Sequence, residues 1–94
     1  MTTFNLSKNW YNLIKSGDKT HEYREAKEYW AKRITKIHAN DIICFALGYP
    51  KKDTKSKLLY AKVLSIKTIN GLNTDLNINK NVFDIEFELI ESKN

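Results

Sequence analysis

Hydrophobic and polar positions alternate along this chain with two different periods, and the changes of period divide it into elements. Phe4 and Leu6 alternate with Thr3 and Asn5, which predicts a short opening strand. Ser7 stands at an N-cap position, and Trp10, Leu13 and Ile14 follow at helical spacing up to Gly17. The prediction is a helix over about Lys8 to Ser16, stopped by a glycine. Thr20 to Arg24 reads as extended, and Ala26 to Ile34 returns to helical spacing with Tyr29, Trp30, Arg33 and Ile34 on one stripe. Ile42 to Leu47 is apolar on both faces, the mark of a central strand covered on both sides, and Gly48-Tyr49-Pro50 ends it. Leu58 to Ile69 predicts a long strand whose alternation slips near Val63 and Leu64, where a bulge or a strong bend would restore it. Asn70-Gly71 is a turn signal, and the asparagine-rich stretch to Asn81 reads as a loop with one short helical turn. Phe83, Ile85, Phe87 and Leu89 then alternate with Asp84, Glu86 and Glu88, a strand with one buried and one wet face.

The resulting order, β-α-β-α-β-β-β, gathers helices early and strands late. A doubly wound sheet needs helices between its later strands, and none is predicted there. The expected class is α+β, one domain over residues 1–94, with the sheet curled into a small mixed barrel flanked by two helices. Hydrophobic content of 41% and charged content of 29% place the chain among soluble globular proteins. No apolar run approaches the ~18 residues that span a bilayer, and Met1 to Asn5 lack the features of a signal peptide. A cytoplasmic protein without a membrane partner is the expectation.

Cys44 is the single cysteine, so neither an internal disulfide nor a thiolate metal cluster is expected, and its apolar strand predicts a buried, inert thiol. His21 and His38 lack metal-ligand spacing, and the three glycines form no phosphate-cradling loop. No metal and no cofactor is therefore expected.

The net charge of +5 is unevenly placed. Lys51, Lys52, Lys55, Lys57, Lys62 and Lys67 are opposed only by Asp53, whereas Asp84, Glu86, Glu88 and Glu91 crowd the last segment. Such a basic stretch attracts polyanions, although a solvated lysine-rich loop has the same composition. Arginine, whose planar fork matches phosphate and base edges, occurs only at Arg24 and Arg33. That draws attention to the segment around Arg24. Gly17 can turn the chain onto a strand on which Thr20, Glu22 and Arg24 share one face, with His21 and Tyr23 on the other and Lys19 at the rim. Glu22 could accept a proton or bond the amide edge of a base, while Lys19 and Arg24 hold phosphate or a developing oxyanion. Spacing alone favours a salt-bridged surface strand. Trp10 reads as core, and Trp30 and Tyr49 are open between packing and walls on which a base stacks.

The run from Leu6 to Glu25, continued through Lys27 to Arg33 and Asp41 to Tyr49, resembles small bacterial and phage ASCH-domain proteins. These open with a strand, a helix and a Gly-x-Lys-x-x-(Thr or Glu)-x-Arg signature, matched here by Gly17, Lys19, Glu22 and Arg24. The likeness covers the first half well and the second half only as a strand pattern. It implies a PUA-like fold with a cleft beside the signature, and binding of RNA or a nucleoside. In acetylcytidine amidohydrolases of that superfamily, the signature lysine and a threonine act at the scissile amide, with a glutamate from later in the chain. Here Lys19 takes the lysine position, but Glu22 takes that of the threonine, and Thr20 comes two residues early. Water activation by a carboxylate survives that change, whereas acyl transfer to threonine does not. Related ASCH proteins have been linked to RNA cleavage, for which Lys19, Tyr23 and Tyr49 are candidates. Ala46 also departs from relatives that often carry arginine before the Gly-Tyr pair.

The expectation is thus a cleft for RNA or a modified nucleoside built on Lys19, Glu22 and Arg24. Thr20, Tyr23, Trp30 and Tyr49 would contact the ligand, and Lys51, Lys52, Lys55 and Lys57 would guide a longer backbone. The alternatives are a small hydrolase or ribonuclease, with Lys19 as stabiliser and Glu22 as base, and a protein-interaction regulator with a vestigial pocket.

Overall fold

A computed structural model describes residues 1–48 and 57–90. The elements run β1 (Thr3–Leu6), α1 (Lys8–Lys15), β2 (His21–Glu25), α2 (Glu28–Ile34) and β3 (Ile42–Leu47). They continue with β4 (Leu58–Asn70), a 3-10 turn (Gly71–Asn73) and β5 (Asn81–Leu89). The predicted order of helices and strands is reproduced, with shifts at element ends.

The strands form one mixed sheet in the order β1-β3-β4-β5-β2. β1 runs parallel to β3, and the other pairs are antiparallel. β4 is long enough to serve two partners: Leu58 to Lys62 pair with β3, and Ala61 to Asn70 pair with β5. The register shifts between Val63 and Ser65, where the alternation slips, so Val63 stays buried while Leu64 turns outward. In a flat sheet the two edge strands β1 and β2 would lie about 19 Å apart. Instead Arg24 of β2 donates from Nη2 to the Asn5 carbonyl of β1 at 3.3 Å. The sheet is therefore curled into a half-barrel, and the molecule is a small α+β fold with two helices.

Inside the curl, the rings of Phe4, Phe45 and Phe87 form a ladder with centroid separations of 5.8 and 4.7 Å. Burial of each such side chain stabilises by about 1.5–3 kcal/mol. Tyr11 and Ile14 of α1 and Ile34 of α2 join the same cluster. Residues Ile43 to Ala46 of β3 are all buried, as the doubly apolar run predicts.

One capping bond and two boundaries differ from the sequence reading. Ser7 occupies the N-cap position, but its side chain makes no capping bond. α2 begins at Glu28 and not at Ala26, because the Ala26 N–H donates to the Asn81 carbonyl at 2.9 Å and prolongs the β2–β5 ladder. β2 begins at His21, which leaves Thr20 outside the strand. The wet face of β5 also has a structural role: Asp84 meets His21 Nδ1 at 2.7 Å and Glu86 lies 3.6 Å from its Nε2, both across the strand pair.

Tyr49, Lys51, Lys52 and Lys55 lie outside the described residues, and Lys57 is exposed. Among the described residues no helix is long and apolar enough to cross a membrane.

Candidate functional site at the sheet seam

Where β1 and β2 face each other across the open side of the half-barrel, a cleft of about 600 Å³ forms. α1 ends at Lys15 with Ser16 as its C-cap, and Gly17 takes φ +87, a conformation favoured by a residue without Cβ. The chain then folds back so that the Lys19 N–H reaches the Leu13 carbonyl at 3.0 Å, which aims Lys19 into the seam. Its ammonium is no rim group. It lies 5.0 Å from the ring centroids of both Trp10 and Tyr23, with its side chain 10% exposed.

Glu22 is the one buried charged residue among the described residues, 5% exposed. Arg24 donates to the same oxygen of it twice, from Nε at 3.1 Å and from Nη2 at 2.7 Å. Both Arg24 bonds fall on Oε2. Oε1 lies 3.9 Å from Lys19 Nζ, beyond hydrogen-bond distance. The guanidinium carbon of Arg24 also lies 4.7 Å from the Trp30 ring centroid and 5.2 Å from that of Phe4. Phe4 and Trp30 stack at 5.3 Å, so one face of Trp30 is occupied by core.

Asp75 comes from the asparagine-rich loop, far along the chain, and bonds Lys19 Nζ. Its loop is held by Gly71, whose N–H donates to the Lys80 carbonyl at 2.8 Å and whose carbonyl accepts from Thr74 and Ile78. A Cβ on Gly71 would lie 2.8 Å from the Ile78 carbonyl oxygen, so this position has room only for glycine. The cleft lining contains three cations (Lys19, Arg24, Lys27) and three carboxylates (Glu22, Glu25, Asp75), and its charges balance. Burial, with the charges of Asp84 and Asp75, raises the Tyr23 phenol above its ordinary 10.0, so Tyr23 presents a neutral hydroxyl at physiological pH.

Lys19, Glu22, Tyr23, Arg24 and Trp30 are thus brought together. Tyr23 points away from Glu22 and stacks on His21 at 6.2 Å, but because β2 is an edge strand its ring still reaches the cleft mouth. Thr20 is not brought in: it is exposed in the turn before β2, where strand alternation has not begun. Two residues escaped the sequence reading. Trp10 lines the cleft as well as packing on the core. Asp75 is the only acidic residue of its loop, a signal too weak to link it with Lys19 across 56 positions. Cys44 is buried, and desolvation raises its thiol above the ordinary 9.0, which disfavours the reactive thiolate. Among the described residues no group of three His, Cys, Asp or Glu side chains is placed to hold a metal ion.

No family model and no curated protein matches the sequence. Among solved structures, the fold is similar to the crystal structure of hypothetical protein PH0355, with a TM-score of 0.60 and 21% identity. The match covers 94% of this chain and 97% of that one. At this identity the likeness speaks for the fold alone: the curled mixed sheet is an architecture that a divergent sequence also adopts.

Proposed function

We propose that the seam cleft of this chain is an ASCH-type, PUA-like site that binds a nucleobase of RNA or a modified nucleoside. The observation that carries the reading is the buried Glu22 carboxylate: Arg24 fixes one oxygen, and the other has no charge-assisted bond among the described residues. An acceptor held this way suits the N–H edge of a base. The balanced charge of the lining favours a neutral polar group over a bare phosphate, and Trp10, Tyr23 and Trp30 supply apolar walls. The convergence of Lys19, Glu22 and Arg24 on an open cleft also supports the resemblance of their spacing to the ASCH signature.

A second reading, hydrolysis of an acylated nucleoside, is favoured by one further observation: Asp75 and Glu22 flank Lys19 in the cleft. Lys19 would stabilise an oxyanion while a carboxylate activates water.

Both tryptophans of the chain line the cleft, so intrinsic fluorescence reports directly on its occupancy. Titration with the four ribonucleosides, N4-acetylcytidine and a single-stranded RNA octamer at low salt is expected to quench this emission. Lys19→Ala and Glu22→Gln, each checked for folding by circular dichroism, are expected to weaken binding about tenfold, the loss of one charge-assisted bond. If none of these probes binds at low salt, the proposal is wrong. Release of acetate from acetylcytidine would decide for the second reading.

A further inference from the structure

A second cleft, of about 480 Å³, lies at the other end of the same edge strand. Asn5, Leu6 and Ser7 line the seam cleft, whereas Thr2, just before β1, lines the second. α2 is shared in the same way. Trp30 faces the seam, whereas Arg33, one turn further on, and Lys36, in the turn that follows the helix, line the second cleft. Residues three apart on a helix have Cβ atoms about 5–6 Å apart, so the clefts are neighbours along one path.

Their electrostatics differ. Lys32, Arg33 and Lys36 line the second cleft against a single carboxylate, Asp41. That carboxylate already accepts the His38 N–H at 2.8 Å and lies 3.8 Å from its Nδ1. Arg33 is pre-positioned, with Nη1 donating to the Tyr29 carbonyl at 2.8 Å and its guanidinium carbon 3.6 Å from the Tyr29 ring centroid. Lys32 meets Glu28 at 3.0 Å, but both side chains are largely exposed, and such a pair exchanges readily for another anion. Lys36 has no carboxylate partner among the described residues.

We propose that this second cleft holds the phosphates of the RNA chain whose base occupies the seam, so that the ligand is single-stranded RNA and not a free nucleoside. The inference rests on the seam reading above. A charge-balanced cleft beside a net-positive one, linked by an aromatic-bearing helix, matches the alternation of base and phosphate along a single strand.

The test compares a single-stranded RNA octamer with its component nucleosides on the wild type and on Lys32→Ala/Lys36→Ala. Both lysines are exposed, and alanine is a good helix former at position 32, so the variant keeps the fold, with stability within about 0.5 kcal/mol. The octamer is expected to bind the wild type more tightly than any nucleoside. In the variant its affinity should fall about tenfold at low salt, and its log–log salt slope should shrink by about 1.4, the loss of two phosphate contacts. Nucleoside affinity should stay unchanged. An octamer affinity and slope unaffected in this variant, but lost in Lys19→Ala, would overturn the inference and leave the seam reading standing. Failure of the wild type to bind either probe would remove both. Displacement of the octamer by a heptaglutamate peptide, as effective as by unlabelled octamer, would assign the basic cleft to an acidic peptide and overturn it as well.

Discussion

The two clefts flank the same edge strand and the same helix, yet they settle their charges differently. In the seam, every cation the site depends on has a carboxylate: Arg24 has Glu22, and Lys19 has Asp75 with Glu22 beyond. These groups are mostly shielded from water, where an unpaired charge would be costly, so the seam is pre-organised and close to neutral. Along the end of α2 the cations are exposed, and solvent supports charges that have no fixed partner. Burial makes the first cleft selective for shape and hydrogen bonding. Exposure leaves the second free to respond to any polyanion in proportion to its charge and to the salt present.

Phe4 offers the harshest test of that contrast, because it sits in the core on β1, between the residues that line the two clefts. Its ring is fully buried, stacks on Trp30 and lies 5.2 Å from the Arg24 guanidinium. Phe4→Ala is expected to cost about 3–5 kcal/mol in urea unfolding and to weaken both clefts at once. Loss of only one activity would show that the clefts do not share this support.

A narrower change should separate them. Gly71→Ala forces a methyl group against the Ile78 carbonyl and the Val82 side chain, each 2.8 Å from an ideal Cβ, and must displace the loop that carries Asp75. Destabilisation of about 1–3 kcal/mol is expected, with weaker nucleoside quenching. The salt slope for the octamer should keep the contribution of Lys32 and Lys36. A slope that collapses with the loop would mean the basic residues are positioned from the seam.

The smallest effect is set by pH. Burial raises Tyr23 above 10.0, and likewise Tyr11 and the Cys44 thiol above their ordinary values of 10.0 and 9.0. Each native group holds its proton more tightly than the unfolded chain does. Their stabilisation is complete below the unfolded values and is lost as pH rises through the native ones. Unfolding free energy should therefore decline above about pH 9–10. Tyr23→Phe should flatten part of that decline, and the seam should lose quenching before the fold is lost. Identical alkaline profiles for Tyr23→Phe and wild type would remove the assigned burial of this phenol.

Much of this was legible in the chain. The slip at Val63 and Leu64 predicts a bulge or a strong bend, because a period of two must be broken to keep Val63 inside, and the register shift takes the first form. The helix stop at Gly17 and the charged run after it identify Lys19, Glu22 and Arg24, since local geometry governs residues so close together. Other assignments failed where long-range pairing overrode local pattern. Ala26 has good helix propensity, yet β5 claims its N–H for the ladder. Thr20 shares the parity of Glu22 but lies before the strand that would give parity meaning. Trp10 has the spacing of a core residue and became both core and wall, because the face it covers runs to the edge of the seam.

By itself, then, the sequence determined the order of elements, the apolar faces and the charged run after Gly17, all consequences of periodicity and of neighbours within one or two turns. Only the tertiary structure decided that Asp75 meets Lys19, that the edge strands face each other through Arg24 and Asn5, and that the cations divide into a paired set and an exposed one. The reason is physical. Curling the sheet brings together residues that no local periodicity relates, and burial at that seam, which no single residue encodes, decides which charges must find partners.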